Sequence, residues 1–398
     1  MEARAARHWL WLIAAALSLQ PLATDLYLPS LPHLMTVFDV PAAAVQRTLT
    51  IFVTGFGFAQ LFAGALSDRY GRRPIALAGS LFFVAASAIC AFATVLDVLV
   101  AGRLLQALGC CAVVVAARAA VRDRHSPAEG ARFFARASTL LALVPLLGPI
   151  VGGYTQTWFG WRAAFVLHVA LGSGLWLAWQ RGFAESLAQP DPAALAPRRL
   201  LAAYRTVALH PGFRAYALPA ALTYGAIFVF IAGSSFAFIE VLGVPASRYG
   251  LCFAFGVSGY LLGTLVCRRL LRRLALDRVL LVGLSLTALG GGGLWLGVRY
   301  GAPGIPLLLG AQFIVMLAHG LNQPCAQSGA LGPFGAQAGT AAGLLGFISM
   351  VVAFTVGSLL GWLHAPSLQP IAMVAGGIGI CAVLSGMNVA RARAELTS

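Results

Sequence analysis

The chain of 398 residues reads as an all-α membrane protein with twelve spans, and three observations predict this. Hydrophobic residues make up 60% of it and charged residues only 10%, with a mean hydropathy of +0.85. A soluble domain carries roughly 25% charged residues, so this chain has too few to coat a water-exposed surface. Apolar runs recur along the sequence, each about the 20 residues that a helix needs to cross a bilayer. The basic residues, finally, gather on alternate connections between those runs. Disorder is excluded by the same composition, since disordered chains are poor in apolar residues.

The runs lie at 8–28, 46–66, 75–95, 98–118, 133–157, 162–180, 213–236, 248–267, 279–298, 305–325, 338–361 and 368–390. Arg4 and Arg7 ahead of the first run resemble a secretory signal. Eleven later runs, with Pro21 and Asp25 in the first, point instead to an uncleaved first span. There is no lysine, and 27 arginines against 12 acids give a net charge of +15. With the N-terminus placed in the cytoplasm, 22 of the 27 arginines fall on cytoplasmic segments. Arg47, Arg103, Arg162, Arg248 and Arg299 make up the rest. That asymmetry follows the positive-inside rule for an even number of spans. It accounts for the basic charge without a nucleic-acid partner, so the bilayer is the expected environment and both termini are expected in the cytoplasm.

The long connection at 181–212 holds Pro190, Pro192, Pro197 and Pro211 and divides the spans six and six. The expected organisation is an N-terminal six-helix bundle at 1–180, a cytoplasmic loop at 181–212 and a C-terminal bundle at 213–398. Glycines recur at close spacing in the second span (Gly55, Gly57, Gly64) and in the eleventh (Gly339, Gly343, Gly357, Gly361). Such stripes let helices approach closely, and packing is the preferred reading.

Enzymatic and metal chemistry find no support. Seven cysteines lie in or beside apolar runs without CxxC or Cys/His spacing, as small hydrophobes do. Gly290 to Gly293 lie within a span, and a phosphate loop of the GxxxxGK[ST] type is impossible without lysine. No cofactor is expected, and the twelve acids and seven histidines are scattered.

Asp25 is the sharpest residue. An ionised Asp at a helix centre costs about 2.5–3.5 kcal/mol on insertion scales, and removal from water favours the neutral carboxyl. Two readings stand: a proton-exchanging site, or a helix cap at the interface near Pro29. Arg103, at comparable depth in the fourth span, is either the counter-charge of Asp25 lining a cavity or a side chain snorkelling to the outer surface. Tyr27, Gln106, Tyr224 and Phe228 are candidate substrate contacts, since apolar pockets with a few polar groups suit drug-sized amphiphiles. Gln60, Ser234, Ser235, Tyr260, Gln312, His319, Asn322 and Gln323 are further polar groups within spans. Glu240, near an outer helix end, is expected to be solvated.

Four segments together resemble the major facilitator superfamily, within it the Bcr/CflA branch of bacterial drug exporters. They are Gly64-Ala-Leu-Ser-Asp68-Arg69-Tyr-Gly71-Arg72-Arg73-Pro74, Arg103-Leu-Leu-Gln106-Ala-Leu-Gly109 continuing to Arg118 and Arg122-Asp123, Gly148-Pro149-Ile-Val-Gly152-Gly153, and Asp25-Leu-Tyr27-Leu-Pro29. Ala107 stands where many members have Gly, and Val144 replaces the upstream Gly of the antiporter motif. The resemblance implies the two-bundle major facilitator fold and proton-driven export of phenicol- or bicyclomycin-like drugs by a monomer in the bacterial inner membrane. It further implies that Asp25 couples protons. Asp68, Arg69, Arg72 and Arg73 become a cytoplasmic latch, with Asp68 facing the positive end of a second-half helix and the arginines pairing with acids such as Asp123. Gly148, Pro149, Gly152 and Gly153 become a hinge and seal. A transporter of a metabolite such as a nucleoside, sugar or organic acid is the alternative.

Overall fold

The computed structural model describes residues 2–141, 143–301 and 303–397; the side chains of Arg4, Arg7, Arg391 and Arg393 lie outside what it describes. Among the described residues, eleven helices are long and apolar enough to span a bilayer. The remaining pass is supplied by two helices, α6 (Pro127–Leu141) and α7 (Leu143–Phe159), which flank Ala142, itself outside the described residues.

The first span is broken where the sequence puts Pro21 and Pro29. Helix α1 (Glu2–Asp25) ends at the acid, a 3-10 turn follows at Leu28–Ser30, and α2 (Leu31–Phe38) completes the pass. The first half continues with α3 (Ala42–Tyr70), α4 (Arg72–Ala91), α5 (Leu96–Arg124), the α6 and α7 pair, and α8 (Arg162–Gly182). Between α3 and α4 only Gly71 intervenes, at φ +98°, a backbone angle that glycine alone adopts without strain.

The central connection is not wholly irregular as expected. It contains α9 (Pro197–Leu209), started by a proline in the first turn and anchored on α3 by the Tyr204 hydroxyl, which donates to the Leu61 carbonyl at 2.7 Å. The second half then runs α10 (Pro211–Ser235) with a π-helical turn at Phe236–Val241, α11 (Ala246–Leu270), α12 (Leu276–Tyr300), α13 (Ile305–Leu331), α14 (Ala338–Trp362) and α15 (Gln369–Thr397).

Two seams join the halves, α3 against α14 and α7 against α11. Small residues make both possible. A β-carbon on Gly361 would lie 3.1 Å from Ala43, and one on Gly57 or Gly357 would overlap Met350 or Thr50. In the other seam Gly153 abuts the Ala246 carbonyl and Gly250 abuts the Ile150 backbone. They run along the seams: toward the face opposite the chain termini, the far face, Gln46 Nε2 donates to the Ala232 carbonyl at 2.7 Å, and toward the terminal face a β-carbon on Gly343 would lie 3.2 Å from the Gln60 carbonyl.

Candidate functional site

Asp25 occupies the last position of α1 and is only 3% exposed. Its Oδ1 accepts from the Thr24 hydroxyl at 3.0 Å, and among the described residues no cation lies within ion-pair distance of it. Helix α7 presses on this segment. A β-carbon at Gly148 would sit 3.0 Å from the Asp25 Cβ, and one at Gly152 would collide with the Leu26 carbonyl. The glycines of that motif thus admit the acid-bearing turn on one side, while Gly153 admits α11 on the other. From the second half, Tyr224 and Tyr249 lie within electrostatic range of the carboxyl. The Tyr249 hydroxyl is 2.9 Å from the Ser234 Oγ. The acid is enclosed between the halves, far from the interfacial cap that the sequence left open.

Arg103 neither snorkels nor pairs with Asp25. It is fully buried inside the first half. Its Nη1 donates to the Ala23 carbonyl at 2.9 Å and to the Gln106 Oε1, and its Nε donates to the Thr48 carbonyl at 3.3 Å. The guanidinium lies 4.2 Å from the Phe52 ring centroid and 5.1 Å from that of Tyr27. Gln106 passes the network on through Nε2 to Ser87 Oγ at 2.7 Å and toward His168 Nδ1 at 3.3 Å; the other nitrogen of His168 is 3.1 Å from the Leu22 carbonyl.

This network has a local cause. Where α1 ends, the Tyr27 amide turns to the Thr24 carbonyl, so Ala23 loses its helical partner. Helix ends leave carbonyls to be satisfied by side chains and favour a cation there. Arg103 does this for Ala23, two residues before the acid, while His168 adds a second contact to the Leu22 carbonyl, which still accepts from the Leu26 amide at 3.3 Å. Tyr27 belongs to the same cluster, its hydroxyl 2.8 Å from Thr48 Oγ1.

Of the sequence candidates, then, Asp25 and Tyr224 come together at the junction of the halves, whereas Tyr27, Arg103 and Gln106 form a separate buried cluster. Phe228 is 1% exposed, stacked at 6.4 Å on Tyr224. Glu240 is not simply solvated; its Oε1 is 3.3 Å from His364 Nε2.

The loop motif is organised around Arg72. Its Nε is 2.8 Å from Asp123 Oδ2 and its Nη1 is 2.5 Å from Asp68 Oδ1. Asp68 is thus engaged by its own loop, four residues on, where the resemblance directs it to a second-half helix. The Arg69 guanidinium lies over the Tyr70 ring at 5.3 Å, and Arg73 Nη2 donates to the Gln180 carbonyl at 3.0 Å. The group facing a second-half helix start is Arg122, against which a β-carbon on Gly339 would sit at 3.0 Å.

Sequence reasoning missed Glu185. Its carboxylate accepts from the backbone amides of Arg72 and Arg73, both at 3.0 Å, and of Ser186 and Leu187, both at 2.9 Å. It caps the start of α4 from more than a hundred residues away.

Known proteins agree with this architecture. The chain is 26% identical to multidrug resistance protein D of Escherichia coli over 93% of this chain and 92% of the relative. It is 27% identical to a bicyclomycin resistance protein homolog of Haemophilus influenzae over 92% of each. A chloramphenicol resistance protein of Pseudomonas aeruginosa is 32% identical over 59% of this chain and 55% of its own length. Among solved structures, a bacterial homologue of the lysosomal transporter Spinster, inward-facing and unoccupied, superposes with TM-score 0.71 at 15% identity, covering 98% of this chain and 96% of that one. A peptide transporter in complex with sulfate gives 0.75 at 15% identity, over 96% and 94%. The family profile matches residues 13–358, nearly the whole of both bundles. A transporter rather than an enzyme, this chain belongs to the Major Facilitator Superfamily.

Proposed function

We propose that the chain exports small amphiphilic drugs, of the phenicol or bicyclomycin kind, across the bacterial inner membrane in exchange for protons. It does so as a monomer, by rocking the bundles at 1–180 and 213–398 about the central connection. The terminal face is cytoplasmic in this reading, because most arginines lie on it. Asp25 takes a proton when the far face opens and releases it when the terminal face opens, and cargo favours the ionised carboxyl. One charge moved across 100 mV supplies about 2.3 kcal/mol, enough for a gradient of some tens-fold.

The observation that carries this reading is Asp25 itself: 3% exposed, without a cationic partner, and held where both halves converge. A buried acid left without a counter-charge favours its neutral form until the surroundings change. The loop motif around Arg72 serves as the cytoplasmic latch, and the Gly148 to Gly153 stretch as the seal on the far side.

The test is drug accumulation in everted membrane vesicles under an imposed pH gradient, with chloramphenicol and bicyclomycin as cargo. Asp25→Asn abolishes gradient-driven accumulation while membrane insertion persists. Accumulation by that variant at the native rate contradicts the reading.

A further inference from the structure

Tyr224 also meets a histidine that the coupling scheme does not use. His319 of α13 is 5% exposed. Its ring lies 6.5 Å from that of Tyr224, edge-on, and 5.8 Å from that of Tyr260, tilted. Its Nδ1 is enclosed and has no hydrogen-bond partner among the described residues.

A neutral imidazole carries one N–H and one lone pair. In the tautomer protonated at Nε2, Nδ1 is an acceptor. The Tyr260 hydroxyl beside it is already committed, donating to Gln323 Oε1 at 3.1 Å. An enclosed acceptor without a donor is costly to leave unsatisfied, which makes the site complementary to a donor arriving from outside the protein.

We propose that His319 Nδ1, walled by Tyr224 and Tyr260, is a subsite that accepts a hydrogen bond from a hydroxyl of an uncharged aromatic ligand. The tyrosine rings, continued by Phe228 stacked at 6.4 Å on Tyr224, supply faces for an aromatic ring. Neither ring beside His319 is charged, so neutral cargo is preferred at this end, and Tyr224 is shared with the surroundings of Asp25. The inference rests on the transport reading above for placing His319 on the cargo's path. It adds the chemistry that selects the cargo.

Sites built around a hydrogen bond reject analogues that lack the group more strongly than apolar pockets reject size changes. Equilibrium binding of chloramphenicol, an uncharged aromatic with two hydroxyls and an amide N–H, to the full-length protein in detergent provides the test. His319→Leu removes the acceptor and weakens binding at least about tenfold. His319→Asn, whose side-chain oxygen can stand where Nδ1 stood, remains within about threefold of the native affinity. The diacetyl ester of chloramphenicol, with both hydroxyls blocked, tests the site without any substitution. It binds the native protein at least about tenfold more weakly than the parent, and His319→Leu narrows that difference.

Native affinity in His319→Leu, or equal binding of ester and parent to the native protein, overturns the subsite and leaves proton-coupled export standing. Failure of the native protein to bind chloramphenicol overturns the ligand class. Export is then judged separately by the Asp25→Asn vesicles loaded with a cationic dye.

Discussion

The guanidinium of Arg103 donates to the Ala23 carbonyl at 2.9 Å, two residues before Asp25. This cation thus acts on the backbone that carries the acid, not on the carboxyl. The arrangement keeps the acid free of a fixed counter-charge while holding the broken end of α1 in place.

Arg103→Lys therefore costs more than its conserved charge suggests. An ammonium cannot reach Ala23, Thr48 and Gln106 from one planar fork. Loss of two buried hydrogen bonds is worth about 2–4 kcal/mol. We expect the thermal midpoint in detergent to fall and transport to drop together. A native midpoint in Arg103→Lys would remove the backbone role from Arg103.

Gly152 offers a steric test of the same turn. Gly152→Ala drives a methyl into the Leu26 carbonyl and should cost about 1–3 kcal/mol as overpacking does, with loss of coupled transport. Gly174 of α8 has open space around its would-be β-carbon. Gly174→Ala should be neutral or stabilising by about 0.5–1 kcal/mol. Equal effects of the two substitutions on drug accumulation would show that the α7 contact is unimportant.

Arg72 is 5% exposed and joins Asp68 to Asp123 across the loop motif. Arg72→Lys breaks the two-acid bridge and leaves Asp123 short of a partner. Removing charge-assisted hydrogen bonds of this kind costs about 1.5–3 kcal/mol. Limited proteolysis of the 183–196 segment should accelerate several-fold, because Ser186 is also held by Asp123, at 3.0 Å. Unchanged cleavage would separate the segment from the latch.

Glu185 gives that segment a pH dependence. Partial burial pushes its carboxyl upward, but the backbone amides of Leu187, Arg73, Arg72 and Ser186 more than offset this and hold it below the ordinary carboxylate range. A group whose folded value is depressed stabilises fully above its unfolded value and loses that contribution as pH falls through the folded one. The staple is thus intact at neutral pH and is lost only as the pH falls below the ordinary glutamate range. Proteolysis of Glu185→Gln at pH 7, with an acid-stable protease used for the low-pH arm, should match the native protein at low pH. A native protein equally protected at both pH values would rule the staple out.

Much of this was readable beforehand for reasons that can be named. Asp25 stands out because an acid in an apolar run is costly, and the burial of that residue follows from the run itself. The glycine stripe at Gly357 and Gly361 was readable as packing, although not which helix it meets. What Arg103 does was not legible. Its contact with the Ala23 carbonyl exists only because α1 stops at Asp25 and frees that carbonyl, a consequence of the fold rather than of residue type. Glu185 was hidden by distance along the chain. Helix α9 did leave a signal: Pro197 as a first-turn residue, followed by Leu200, Leu201, Tyr204 and Val207 at helical spacing, overshadowed by the prolines around it. His319 was visible as a histidine in a span, but that its Nδ1 is enclosed without a partner depends on how α13 packs.

The decisive experiment follows protons rather than drug. Purified protein in a weakly buffered detergent solution, with a pH indicator, is mixed with saturating cargo near neutral pH. The native chain should release close to one proton per molecule, and Asp25→Asn should release none while still binding the cargo. Undiminished release from the Asn variant would mean that another group carries the proton, and the coupling scheme built on Asp25 would fall.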